Sequence, residues 1–328
     1  MTQFDLSLDE LRQYRPPRTE PADFDAFWHD TIESSRGLAA EPRFVLADSP
    51  LQTIATYDVT FGGFLGQRIR AWLQVPAGAK GPLPAVVEYV GYGGGRGLPT
   101  EWLLWASAGY AHLVMDTRGQ GGTWRGGDTD DFEPAGTGPS HPGVMTKGIL
   151  DPSTYYYRRL ITDAVLAVDV ARRHPLVDPG RVAVAGTSQG GGLALAAAAF
   201  AGPQAALVDV PFLCHVERAL EVTDAAPYSE VKQYLRVHRD AVEQVFRTLA
   251  YVDGRAFAAR AVAPALFSAG LEDEITPPST VFAAFNEYAG PKEIRVWPYN
   301  GHDAGAQQHE LEKLAFLRSV GLAPESPA

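Results

Sequence analysis

Apolar positions along this chain change period several times, and each change marks an element. Asp23-Phe24-Asp25-Ala26-Phe27-Trp28 sets aromatics three and four residues apart behind an aspartate, the stripe of one helical face. Residues 1–40 thus read as helices packed outside the main domain. Segments 57–61 and 67–75 alternate polar and apolar residues around Gly62-Gly63, as an antiparallel hairpin would. Residues 84–90 form an apolar strand that ends in the glycine-rich loop Gly91-Tyr92-Gly93-Gly94-Gly95-Arg96-Gly97. A helix over 101–108 and a strand over 111–115 follow. From 116 to about 155 the periodicity disappears; a loop that long inside a compact domain is usually functional or disordered, and Trp124, Phe132 and Met145 favour a packed, functional one.

Beyond it the pattern predicts a helix over 156–174 and a short β-branched strand, Arg181-Val182-Ala183-Val184-Ala185. An alanine-rich helix (191–199), a strand (205–210) and a helical insertion (211–260) come next. Strands at 265–269 and 293–297 enclose a helix at 280–289, and a last helix begins near 307. Strands alternating with helices after an opening hairpin give an α/β class with a mostly parallel central sheet flanked by helices. No linker breaks the order, so 1–328 reads as one domain.

Composition narrows the class. With 45% hydrophobic and 20% charged residues, 328 residues make an ordinary globular protein with a sizeable core. A net charge of −11 and no basic cluster argue against nucleic acid as a partner. The single cysteine, Cys214, sits among apolar neighbours and reads as a buried structural thiol. The amino terminus lacks a signal-peptide pattern and no stretch reaches membrane-span length, so a cytoplasmic protein without a membrane partner is expected.

Chemistry enters at Gly186-Thr187-Ser188-Gln189-Gly190, a G-x-S-x-G placed between a strand and a helix. Such a sharp turn strains the serine backbone, needs small neighbours, lifts the hydroxyl clear of the sheet, and aims the Gln189 N–H at a reacting carbonyl. A serine needs a base and the base needs an acid, in the chain order Ser, Asp/Glu, His. The strand at 293–297 leads to His302; the strand at 265–269 leads to Glu272-Asp273-Glu274. Asp273 is the expected acid, with Asp209 at the end of the preceding strand as rival. His141 is the rival base, but it precedes Ser188. The remaining histidines lie on or beside helices and strands and read as structural or solvated. The Gly91–Gly95 segment occupies the place of an HGGG-type oxyanion loop; no G-K-[ST] follows for a phosphate, and no metal motif or cofactor site appears.

With Arg118-Gly119-Gln120, Gly186-Thr187-Ser188-Gln189-Gly190 and His302-Asp303, the chain resembles carbohydrate esterase family 7, the acetyl xylan esterase/cephalosporin-C deacetylase group. Thr154-Tyr155-Tyr156-Tyr157-Arg158-Arg159, Asp209-Val210-Pro211-Phe212 and Pro277-Pro278-Ser279-Thr280 extend the likeness, which runs from near residue 5 to near 303. It implies an α/β-hydrolase fold, a triad of Ser188, Asp273 and His302, and oxyanion N–H groups from Tyr92 and Gln189. It also implies small acetylated substrates, an intracellular home, and self-association into a ring-like homohexamer to which the 116–155 loop contributes. Family members carry Glu where Asp303 stands, which bears on loop positioning rather than on the triad.

Tyr92, Trp105, Trp124 and Phe212 are expected to wall a small acyl pocket, with core packing the competing reading for Trp105. A peptidase or lipase on the same fold, or a non-catalytic binding protein on a hydrolase scaffold, are the rival functions. The intact Ser/Asp/His set speaks against the last.

Overall fold

The computed structural model describes residues 4–133, 139 and 142–325. Two helices, α1 (Leu8–Gln13) and α2 (Phe24–Leu38), precede β1 (Arg43–Leu46), β2 (Ile54–Gly62) and β3 (Arg68–Pro76). The alternating segments form the expected hairpin, paired antiparallel from Ile54↔Pro76 to Gly62↔Arg68. β1 escapes the pattern because three of its four residues are exposed, which leaves no period to read. The stripe on α2 buries Phe24, Trp28 and Ile32 in the main core, where the Trp28 indole N–H donates to the Tyr251 carbonyl at 2.8 Å.

Next come β4 (Leu83–Tyr89), α3 (Leu103–Ser107), β5 (Ala111–Met115), α4 (Tyr156–Ala171), β6 (Val177–Thr187), α5 (Gln189–Phe200) and β7 (Ala205–Asp209). The insertion carries α6 (Val216–Val222), α7 (Tyr228–Val237), α8 (Val242–Ala250) and α9 (Gly254–Ala258). β8 (Ala265–Gly270), α10 (Pro278–Glu287), β9 (Lys292–Trp297) and α11 (Ala306–Ser319) complete the chain. One sheet results, in the order β1-β2-β3-β5-β4-β6-β7-β8-β9, antiparallel as far as β5 and parallel from there on. This is an α/β-hydrolase sheet.

Strand order sets the site. From β4 the chain steps outward to β5 and then back to β6, so the loops after β4 and β6 diverge and leave a crevice at the carboxyl ends of those strands. Both faces of the parallel strands are covered: Ala85, Val87 and Tyr89 pack with α4 and α5, while Val86 packs with Trp105, Phe316 and Leu317. The central helix α5 is buried along nearly its whole length, which is why its alanines show no apolar stripe.

The described residues of the 116–155 segment are held by polar contacts rather than by a periodic apolar face. Asp116 accepts from the backbone N–H of Arg96 (2.8 Å) and Asp128 (2.6 Å) and from the Thr129 hydroxyl (2.9 Å). Asp131, held well below the usual carboxylate range despite its burial, pairs with Arg159 and Lys147. Of the three apolar residues expected to pack this loop, Met145 is fully buried in this chain's own core; Trp124 and Phe132 are exposed.

Candidate active site

Ser188 stands between β6 and α5 with φ 61° and ψ −119°, a region that costs a non-glycine residue roughly 1–3 kcal/mol. Three hydrogen bonds hold it there. Its N–H donates to the Asp209 carbonyl (2.9 Å), and its carbonyl accepts from Phe212 (2.9 Å) and Gly192 (3.1 Å). The glycines of the motif are steric requirements: a Cβ on Gly190 would fall on the Tyr89 carbonyl oxygen, and one on Gly186 on the Gly190 backbone. Ser188 opens onto a cavity of about 450 Å³ at the crevice.

His302, on the loop after β9, lines the same cavity. Its Nδ1 lies 2.9 Å from Oδ2 of Asp273, on the loop after β8. Asp273 is fully buried and pinned: Oδ1 accepts from the N–H groups of Ile275 (2.8 Å) and Thr276 (3.0 Å), and Oδ2 from the Thr276 hydroxyl (2.8 Å). A carboxylate at Nδ1 leaves Nε2 as the nitrogen available to the cavity. Among the described residues no hydrogen bond joins Ser188 to His302; such contacts are often loose before substrate binds. The rival acid is committed elsewhere. Asp209 is engaged by His309 Nε2 (2.7 Å) and Lys313 Nζ (3.0 Å) from α11. Burial opposes its charge, yet Lys313 and His309 hold the carboxyl well below its ordinary range. His141 lies outside the described residues.

The glycine-rich loop brings Tyr92 to the cavity, and Gln189 follows Ser188 as the first residue of α5, where helix N–H groups lack intrahelical partners. Gln120 ties the two loops together: its Oε1 accepts from the Gly93 N–H (2.6 Å) and its Nε2 donates to Gln189 Oε1 (2.8 Å). Arg118, two residues earlier, is anchored by a two-pronged contact with Asp163 at 2.5 and 2.8 Å. The Tyr92 hydroxyl donates to Glu230 (2.7 Å) and accepts from the Val144 N–H (2.7 Å); burial pushes its pKa up, so it stays neutral.

Comparison with known proteins supplies the family. The acetyl xylan esterase (AXE1) family model matches residues 1–320. The chain belongs to the acetyl xylan esterase family. It is 42% identical to an acetyl xylan esterase from Paenibacillus sp. R4, with a TM-score of 0.88 over 96% of this chain and 99% of that one. Acetyl xylan esterase 1 from Thermoanaerobacterium sp. JW/SL YS485 is 30% identical, again with a TM-score of 0.88, over 97% of this chain and 100% of that one. Acetyl esterase Axe7A from Xylanibacter ruminicola is 27% identical over 93% of this chain and 69% of its own length. The protein is therefore a carboxylic ester hydrolase.

The walls of the esterase cavity differ in part from expectation. Trp124 lines it, 54% exposed, with its indole N–H on the Tyr92 carbonyl (2.8 Å). Trp105 does not: it is buried on the α11 side of the sheet, edge-on to Tyr110 at 5.6 Å. Phe212 is also core, fully buried behind Tyr92 against Tyr228, whose ring centroid lies 4.5 Å away. In their place stand Trp102, Pro227, Ile275, Arg125 and Glu88, none of them singled out by the sequence. Among the described residues no helix is long and apolar enough to cross a membrane.

Proposed function

We propose that this esterase removes acetyl groups from acetylated xylo-oligosaccharides, other small acetylated sugars and cephalosporin C, through an acetyl-Ser188 intermediate. Support comes above all from one observation: His302, paired with the buried Asp273, and the strained Ser188 line a single cavity. Ser188 Oγ adds to the acetyl carbonyl as His302 Nε2 takes its proton, and Asp273 fixes the imidazole with its proton on Nδ1. The backbone N–H groups of Tyr92 and Gln189 receive the oxyanion, each worth roughly 2.7–4 kcal/mol in the transition state. Collapse passes the proton to the departing sugar oxygen. Water, deprotonated by the same nitrogen, then releases acetate and restores Ser188. The chemistry asks for no cofactor.

Closed homo-oligomers are the rule for self-associating enzymes, and family likeness favours a homohexamer working in the cytoplasm with the 116–155 loop at its contacts. A p-nitrophenyl ester series tests the acyl side. Acetate and propionate should be cleaved far faster than hexanoate or longer if Trp124, Pro227 and Ile275, which line the cavity with Ser188, close off the acyl side. A profile flat or rising with acyl length would favour the lipase-like alternative.

A further inference from the structure

Glu88 is a charged side chain on the cavity wall that the hydrolytic steps do not use. It lies one residue before the end of β4, and only one of its carboxylate oxygens is committed. Oε2 accepts from the Trp105 indole N–H (3.0 Å) and lies 2.8 Å from His112 Nε2. Oε1 accepts no hydrogen bond among the described residues, and the side chain, 19% exposed, lines the cavity that holds Ser188 and His302. Burial disfavours its charge, but His112 and Lys313 hold the carboxyl below the usual range, so it stays ionised.

The surroundings make this oxygen a fixed feature. His112 reaches both walls of this corner, with Nδ1 3.0 Å from the Trp102 carbonyl and Nε2 at Glu88. Trp102 in turn carries the Arg125 guanidinium on its ring at 4.0 Å, and Arg125 is neutralised by Glu101 at 2.9 Å. An anchored, half-free carboxylate in a cavity that the exposed Trp124 indole also lines suits a pyranose: an apolar ring face meets indole, and a hydroxyl donates to the anion.

We infer that Glu88 determines which alcohol portion the esterase accepts, taking a free hydroxyl of the sugar on Oε1 and repelling alcohol portions that carry a carboxylate. This rests on the acetyl-sugar reading above and names the residue behind it. A hydrogen bond to a charged group contributes enough that its loss lowers kcat/KM by about ten-fold or more. The measurement compares Glu88→Gln with wild type on three acetyl esters: a mono-O-acetyl xyloside with free hydroxyls, phenyl acetate with none, and 4-acetoxybenzoate with a carboxylate.

The ratio of kcat/KM for the xyloside over phenyl acetate should fall about ten-fold, while the ratio for 4-acetoxybenzoate over phenyl acetate should rise several-fold. A merely loosened fold cannot move the two in opposite directions. Either ratio staying within about two-fold of wild type would overturn the inference. Should Glu88→Gln not fold, Glu88→Asp keeps the charge and withdraws the oxygen: the xyloside ratio should drop and the anionic ratio hold, and an unchanged xyloside ratio would overturn the inference. Wild type failing on all three esters would instead sink the proposed function.

Discussion

Asp273→Asn changes one atom in the pair that orients His302, and its consequences can be worked from the hydrogen bonds. Oδ1 can keep the N–H groups of Ile275 and Thr276, so the loop stays anchored. The new amide nitrogen replaces the oxygen 2.9 Å from His302 Nδ1. It donates where the carboxylate accepted, which drives the imidazole proton to Nε2, the nitrogen that must take the proton of Ser188. A wrong-tautomer base costs about 10⁴ in kcat in serine hydrolases, or about 5 kcal/mol of barrier.

Acetate release from saturating phenyl acetate reads the rate, and thermal melting reads the fold, which should shift by only a few degrees. Asp209→Asn supplies the contrast. It removes one of the two carboxylates paired with the buried Lys313, leaving Glu310 at 2.6 Å, so it should cost about 1.5–3 kcal/mol of stability and lower the melting temperature. Its folded fraction should keep most of its kcat. More than about 1% of wild-type kcat left in Asp273→Asn, or a 10⁴ loss in a well-folded Asp209→Asn, would refute the assignment of the acid.

Two further outcomes are open to measurement, one from the proposed hexamer and one from a buried histidine. Light scattering should give a particle near six times 35.4 kDa, and polymeric xylan should be deacetylated more slowly than its oligomers if the active sites face an interior chamber; a monomer would defeat the hexamer, and equal rates the chamber. His215 is buried beside Tyr14 and Arg255, and its pKa is pushed down to about 4 by burial first and by the Arg255 charge second. The unfolded chain, with histidine near 6.5, therefore binds more protons at this site, so the contribution of His215 to stability is constant above that pH, falls as pH drops below it, and levels off near 4, a loss of at most about 3 kcal/mol. Urea unfolding between pH 4.5 and 7.5 should show that slope in wild type and a shallower one in His215→Gln.

Elements whose residues carry a period were legible from the sequence, as were the motif residues at their ends. The strand at Ala111–Met115 and the one that delivers Asp273 are apolar runs, and the one that delivers His302 alternates charged and apolar residues (Glu293-Ile294-Arg295-Val296), so their loops could be ordered along one sheet edge. Trp105 and Trp102 show why the cavity wall was not. Three residues apart, they would share a helical face, but Trp102 adopts a left-handed φ of 62° and α3 begins only after it. The two indoles therefore part, one into the core and one to the cavity. Phe212 follows the same logic, since Val210 (φ 36°) and Leu213 (φ 63°) kink its segment and turn the ring inward. Glu88 was hidden in an apolar strand, where a lone acid reads as an edge position rather than a wall. The described part of 116–155 is held through Asp116, Asp131 and Arg118, whose partners are distant in sequence and leave no local pattern.

The most direct test of the central claim, that Ser188 is the nucleophile, is covalent trapping read by peptide mass spectrometry. Incubation with phenylmethanesulfonyl fluoride should place one sulfonyl group per chain on the peptide containing Ser188, with activity lost in proportion to labelling. Ser188→Ala, which suits the small-residue turn and should fold normally, should take up no label and release no acetate. A label on another serine that tracks inactivation, or acetate release by Ser188→Ala above a few per cent of wild type, would contradict the account.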